Sequence, residues 1–293
     1  MTTFRIGDTT ITRIEEVLGP GFVARQILPD WSDEAIAPHL SWLVPDHYEP
    51  EKRRLVASLH SWLVRTPRHT ILVDTCAGNH KNRPGSPGFH MLDRPYLANL
   101  AAAGVRPEEI DFVLCTHLHV DHVGWNTRLD DGRWVPTFPN ARYVFSKTER
   151  DHFDPSRGQG GIAGNAPLIW ADSILPVIDS GQAHVVDGTD LIGGDLMIEP
   201  APGHTPGHVT LALERPQGRA LFTGDITHHP IQLHYPDWSS AFCFDKAQSA
   251  ATRRRVLERC ADTGALYCPA HFGRPHAGRI ARTGNAFRLA PAT

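Results

Sequence analysis

The chain has 293 residues, 41% hydrophobic and 21% charged, with a formal net charge of −3. This length can bury a core large enough to hold a rigid site, while the slightly acidic balance offers no basic surface to nucleic acid or an anionic membrane. No apolar run approaches the ~18 residues that a bilayer span requires, and residues 1–11 lack the basic and apolar regions of a signal peptide.

In chain order, residues 4–16 predict a strand, a turn and a second strand, with Phe4, Ile6, Ile11 and Ile14 available to one sheet face. Residues 17–55 mix Gly, Pro and Trp without a sustained period. They read as a covering segment, either pocket wall or homodimer contact, with at most a short helix near Asp33–Leu40. Ser58–Val64 and Thr70–Val73 are β-rich runs on either side of the turn at Thr66–His69. Asp93–Ala103 has helical spacing and stops at Gly104, and Asp111–Cys115 is a short apolar run typical of a buried strand.

Further strands are predicted at Ala141–Phe145, His184–Val186, Leu196–Glu199, His208–Leu213 and Ala220–Phe222, with a last one at Leu266–Cys268. Helices are predicted at Ser146–His152, Leu168–Leu175 and Ala247–Ala261. The basic run Arg253–Arg255 reads as a solvated helix face, and glycine-rich Gly158–Gly164 as a flexible loop. Clusters of strands separated by helices imply one α/β domain over 1–293, an αββα sandwich of two mixed β-sheets flanked by helices. Five cysteines, an odd number without a Cys-x-x-Cys pair, argue against a disulfide framework and for a reduced, cytoplasmic protein.

The chemistry is concentrated in Thr116-His117-Leu118-His119-Val120-Asp121-His122-Val123-Gly124, directly after a predicted buried strand. Residues i and i+2 of extended backbone share a face, so His117 and His119 aim together, while Asp121 and His122 can serve a second point a few residues on. Imidazole nitrogen and carboxylate oxygen suit a borderline cation such as zinc. Three more loops at strand ends carry candidate ligands: Gly203-His204-Thr205-Pro206-Gly207-His208, Thr223-Gly224-Asp225, and Pro269-Ala270-His271-Phe272-Gly273. Each alone is weak, and their joint presence is a strong signal.

His-x-His-x-Asp-His, then Gly-His-Thr-Pro-Gly, then Thr-Gly-Asp, then a late histidine, resembles the dinuclear hydrolases of the metallo-β-lactamase superfamily. The resemblance implies the metallo-β-lactamase fold and two divalent metal ions per chain. Zinc is the first expectation, with manganese, cobalt or iron as alternatives. It further implies that His117, His119 and His204 hold one metal, that Asp121, His122 and His271 hold the other, and that Asp225 bridges them. Asp74 stands where the superfamily carries a carboxylate that orients a ligand histidine.

The middle residue His119 is unlike the glutamate of flavodiiron members. No cysteine follows the Gly-His-Thr-Pro-Gly loop at the place where many zinc β-lactamases carry a ligand, and the basic surface of ribonuclease-type members is missing. The pattern is most similar to the lactonase, arylesterase and organophosphate-hydrolase branch. It departs from acyl-homoserine lactonases at His228, where they commonly carry a tyrosine that touches the substrate carbonyl, and there it looks more like methyl parathion hydrolase.

The activity so implied is hydrolysis of a small-molecule carboxylic ester or lactone by a metal-bridging hydroxide. A cation pair ~3.5–4 Å apart lowers the pKa of water from about 15.7 towards about 7. Asp121, Asp225 and His228 are the candidate catalytic groups. Phosphotriester or phosphodiester hydrolysis on the same centre is the alternative, and a mononuclear iron oxygenase of the same fold is the alternative of another class. Trp125, Phe153, Trp170, Trp238, Phe242 and Phe272 lie near the metal loops in sequence, and one or two of them are expected to line an apolar pocket.

Overall fold

The computed structural model describes residues 2–157 and 166–292; the predicted glycine loop at Gly158–Gly164 lies outside the described residues. The first half of the chain contributes β1 (Thr3–Ile6), β2 (Thr9–Val23), β3 (Tyr48–Glu49), β4 (Arg54–Arg65), β5 (Thr70–Val73) and β6 (Phe112–Leu114). A separate hairpin of β7 (Thr127–Asp130) and β8 (Arg133–Pro136) is followed by β9 (Arg142–Ser146) and β10 (Ala183–Val186). These strands form a sheet in the order β1-β2-β4-β5-β6-β9-β10, with β3 on β4 and the β7–β8 hairpin apart from it. It is parallel from β5 to β10 and antiparallel elsewhere.

The second half gives β11 (Asp190–Ile192), β12 (Leu196–Pro200), β13 (Val209–Arg215), β14 (Gly218–Gly224), β15 (Leu266–Pro269), β16 (Gly278–Thr283) and β17 (Ala286–Ala290), which pair in that order. Only β14 and β15 are parallel in this sheet.

Side-chain alternation builds the layers, because successive strand residues face opposite sides. Val64, Ile71, Val73, Leu114 and Val144 from the first sheet meet Leu211, Leu213, Phe222 and Cys268 from the second in one buried cluster between the sheets. Their neighbours Leu63, Leu72, Val113 and Tyr143 face outward onto helix α4 (Tyr96–Ala102) and the helical stretch through Ile174 and Val177. Ala212, Leu221 and Tyr267 pack against Val256, Leu257 and Cys260 of a long C-terminal helix, Lys246–Thr263. Four layers result, helix–sheet–sheet–helix, as expected from sequence.

Several elements differ from expectation. β2 continues to Val23, pairing its far end with Arg54 of β4, where no strand is expected beyond residue 16. Gly19, Pro20 and Gly21 hide it, and register shifts at Glu15/Val17 and Pro20/Phe22 break the alternation that would reveal it. Residues 24–43 hold three one-turn helices, α1 (Ala24–Ile27), α2 (Asp33–Ile36) and α3 (Leu40–Leu43). This stretch carries Ile27, Leu28, Trp31 and Leu43 onto Tyr48, Leu55 and Ile231.

The helix predicted at 168–175 is an α–π–α succession from Ala166 to Asp179, and Leu266–Cys268 is not the last strand, since β16 and β17 follow. Arg253 is fully buried rather than solvated. No helix among the described residues is long and apolar enough to cross a membrane, and all five cysteines are free and buried.

Candidate metal centre

Four loops at the C-terminal ends of β6, β12, β14 and β15 converge at one end of the sandwich. The 117–122 loop is stitched to the end of β5 by Thr75 N donating to the His122 carbonyl (2.7 Å) and Gly124 N to the Cys76 carbonyl (2.7 Å). Asp74 follows β5 directly and is in the left-handed region, φ 56°, which aspartate tolerates better than most residues. Its carboxylate accepts from Thr116 N (2.8 Å), from Thr116 Oγ1 (2.8 Å) and from His122 Nδ1 (2.9 Å). Gly224 precedes Asp225 at φ +47°, and a Cβ there would lie 2.5 Å from Thr116 Oγ1, so glycine is required for the close approach.

Two groups of donor atoms form, each with its atoms within 4.8 Å of one another: His117, His119, His204 and Asp225, and Asp121, His122 and His271. In the first, His204 Nε2 stands 3.2 Å from His117 Nε2 and 2.9 Å from His119 Nδ1. Asp225 joins the groups. Its Oδ2 lies 3.2 Å from His204 Nε2 and 3.8 Å from His117 Nε2, while its Oδ1 lies 3.0 Å from His271 Nε2 and 3.3 Å from His122 Nε2. Asp121 approaches His122 and His271 at 3.8 and 3.7 Å. The structure therefore brings all seven predicted metal-site residues together, with His228 Nε2 beside them, 3.2 Å from Asp225 Oδ2.

The outer hydrogen bonds determine which ring nitrogens carry protons. A carboxylate and a carbonyl only accept, so His122 Nδ1 donates to Asp74 and His271 Nδ1 donates to the Ser58 carbonyl (3.2 Å). Thr116 Oγ1 spends its proton on Asp74, so His117 Nδ1 donates to Thr116 Oγ1 (3.1 Å). In the neutral rings, Nε2 of His117, His122 and His271 then presents a lone pair inward, onto carboxylate oxygens and other lone pairs. His122 Nε2 and Asp225 Oδ1 are both buried without a hydrogen-bond partner among the described residues. Such a set is repulsive as it stands and attractive around divalent cations, which is the sense in which these residues fit a metal pair.

The local electrostatics differ between the two halves of the site. Burial depresses His117 and His204 far below the usual imidazole range and takes His119 to about 4, keeping all three neutral as metal ligands must be. Burial also opposes charge on His122 and His271, but Asp225 and Asp121 beside both, with Asp74 beside His122, outweigh it and raise both. Burial pushes the Asp225 carboxyl up, yet His271, His122 and His228 hold it well below the ordinary carboxylate range.

Three positions escape a reading of the sequence. Arg253 donates to the Ile226 carbonyl (2.7 Å), the Pro236 carbonyl (2.7 Å) and Ser249 Oγ (3.0 Å), bracing the loop after Asp225. His208 Nε2 accepts from Asp225 N (3.1 Å). Glu149, buried in the first turn of α5 (Lys147–Phe153), accepts from both histidine loops. Ser146 and Glu149 resemble a helix capping pair, a signal that points to local capping and away from this role. Ser146 Oγ does accept from Glu149 N. Of the named aromatics, Phe153 lies 5.7 Å from the His119 ring, Trp125 and Phe272 belong to buried clusters, and Phe242 is exposed. Cys243 Sγ stands 3.6 Å behind His204, at Nδ1, outside the ring of inward donor atoms.

The family model described as the Metallo-beta-lactamase superfamily matches residues 57–271, and the chain belongs to that superfamily. It is 29% identical over 187 residues to the N-acyl homoserine lactonase AttM of Azorhizobium caulinodans, an alignment covering 61% of this chain and 64% of that protein. The chain thus spans a little under two thirds of the length of that relative. It is 27% identical over 215 residues to an N-acyl homoserine lactonase of Bacillus thuringiensis, covering 67% and 74%. Among solved structures, the hydrolase AbOPH of the beta lactamase superfamily superposes with a TM-score of 0.83 at 25% identity, over 99% of this chain and 97% of that one. The dizinc quorum-quenching lactonase AidC superposes with a TM-score of 0.78 at 21% identity, over 100% and 97%, which shows the shared fold.

Proposed function

We propose that the protein is a dinuclear metal-dependent hydrolase of carboxylic esters or lactones, with His117, His119 and His204 on one metal, Asp121, His122 and His271 on the other, and Asp225 between them. The observation that carries this reading is the two-sided carboxylate of Asp225, with Oδ2 toward one donor group and Oδ1 toward the other. Zinc is the metal we assign, in keeping with the imidazole-rich donor set. When bound, a pair of divalent cations supplies Lewis acidity and brings the pKa of water down to about 7.

The remaining work falls to side chains. Asp225 keeps its charge against burial because three histidines face it. Asp121 is the carboxylate we assign to receiving the proton of the attacking water and returning it to the leaving oxygen; its side chain is 14% exposed, against 4% for Asp225. His228 is assigned as a hydrogen-bond donor to the charge that develops on the substrate oxygen. Its backbone N is fixed by Gln232 Oε1 (2.7 Å), and among the described residues neither ring nitrogen has a hydrogen-bond partner. The covering segment is assigned as the pocket wall, supported by His229 Nε2 donating to the His47 carbonyl (2.8 Å) and by Ile231 packing in its apolar cluster.

One observation favours a second reading, phosphotriester hydrolysis: His228 stands where lactonases of the resembled branch carry tyrosine. Purified protein loaded with zinc, manganese or cobalt, assayed on a lactone panel, aryl esters and a phosphotriester, separates the two. Two metals per chain with ester or lactone turnover is the expected result. Turnover of the phosphotriester alone moves the assignment to the second reading, and a single iron with oxygen consumption moves it to an oxygenase. Complete inactivity on esters and lactones would sink the first reading.

A further inference from the structure

We propose that Glu149 is a positioning residue for the three-histidine half of the centre, holding the His117–His119 loop and the His204 loop in one register. This rests on the reading of the cluster as a metal centre. Glu149 is 1% exposed, and no basic side chain among the described residues lies within ion-pairing distance of it. Its partners are all donors from the two loops: Oε1 accepts from Leu118 N (3.0 Å), and Oε2 accepts from Thr205 Oγ1 (2.8 Å) and Gly207 N (2.9 Å). Leu118 separates His117 from His119, and Thr205 follows His204, so one carboxylate fixes the backbone beside all three imidazoles.

The docking is close enough to dictate a glycine. A Cβ on Gly207 would lie 2.1 Å from Glu149 N, so a side chain there would push the start of α5 off the loop. The clamp has a physical purpose. His204 Nε2 sits 3.2 Å from His117 Nε2, which turns a lone pair toward it, and 2.9 Å from His119 Nδ1, a crowding that separate loops would relax by moving apart. Behind His204 the only side-chain contact among the described residues that holds Nδ1 is the Cys243 sulfur at 3.6 Å, a weak acceptor. Burial opposes the charged form of Glu149, and cations close by would favour it.

Glu149→Gln tests this with little change of shape. Leu118 N and Gly207 N are fixed donors on different oxygens, so whichever way the new amide turns, its NH2 faces a donor. The metal-stripped full-length chain is titrated with zinc against a competing chelator, and the melting temperature of the stripped protein is recorded. We expect one zinc step to weaken by about 10- to 100-fold, the other to stay as in the wild type, and the stripped protein to melt only a few degrees lower, roughly the cost of one unpartnered buried amide. In a His271→Ala background the single remaining step should weaken by the same factor. Thr205→Val, which removes one of the three donors, should give a smaller loss in the same step and serves if Glu149→Gln does not fold. Both steps falling in parallel with the melting temperature would make Glu149 a merely structural residue and overturn the proposal, as would wild-type zinc binding in these variants. A wild-type chain that takes up no zinc overturns the metal-centre reading itself, a different result.

Discussion

Removing the Asp225 carboxylate is the most direct perturbation of the site. Asp225→Ala deletes the one side chain whose two oxygens reach both donor groups, 3.0 and 3.3 Å from His271 and His122 on one side and 3.2 Å from His204 on the other. Loss of a single preorganised electrostatic group costs about 10²–10³ in kcat. Asp225 serves both halves, so the upper end is the floor here, about 10³ or about 4 kcal/mol at 1.36 kcal/mol per decade. The fold should survive, because the supports of that loop are backbone ones: Asp225 N to His208 and the Ile226 carbonyl to Arg253. The assay is kcat on the best substrate of the panel, with metal content by atomic emission and melting of the stripped protein. Near-native turnover, or two tightly held metals in the variant, would refute the bridging role.

His228→Ala should lower kcat by roughly 10²-fold while leaving zinc stoichiometry untouched; an unchanged rate would assign the ring to packing. Arg253→Ala leaves the buried Ile226 and Pro236 carbonyls unpartnered, at about 1–3 kcal/mol each, so urea denaturation should report a loss of about 3 kcal/mol. Asp195 accepts from Thr66, Arg68, His69 and Arg215, and although burial raises its carboxyl, His69, Arg68 and Thr66 hold it below the ordinary value. A folded-state pKa that is depressed contributes stability present above the unfolded value of about 3.9 and lost as pH falls through the folded one. Asp195→Asn should therefore melt lower than the wild type at pH 7 and converge with it below about pH 4. A gap that persists in acid would contradict the pairing.

How far the sequence reaches depends on the kind of signal. The 117–122 loop is legible because several ligand-type residues crowd one strand end, and the continuous apolar runs in Thr70–Val73 and Leu196–Glu199 reveal strands buried on both faces. β2 is not legible past residue 16, since two register shifts and the Gly-Pro-Gly stretch remove its alternation. β16 and β17 escape for another reason. Much of β16 and β17 faces solvent, with Arg279 and Arg288 exposed, so there is little hydrophobic pattern to read. Arg253 and Glu149 illustrate a deeper limit. A charged residue in a helix is usually solvated, and only the tertiary fold brings backbone carbonyls to the one and backbone amides to the other.

The donor groups are also divided between the two sheets. His117, His119, Asp121 and His122 extend from β6 of the first sheet, whereas His204, Asp225 and His271 extend from β12, β14 and β15 of the second. Any cation gripped by His117 and His204 together is a rivet through the sandwich, fastening at its rim two layers that are otherwise joined mainly by apolar packing. Its grip is then part of the strength of the whole molecule, and resistance to unfolding rises with the free concentration of the ion, by RT ln(1 + [ion]/Kd). A cell short of that ion would hold a chain that is not only idle but easier to pull apart.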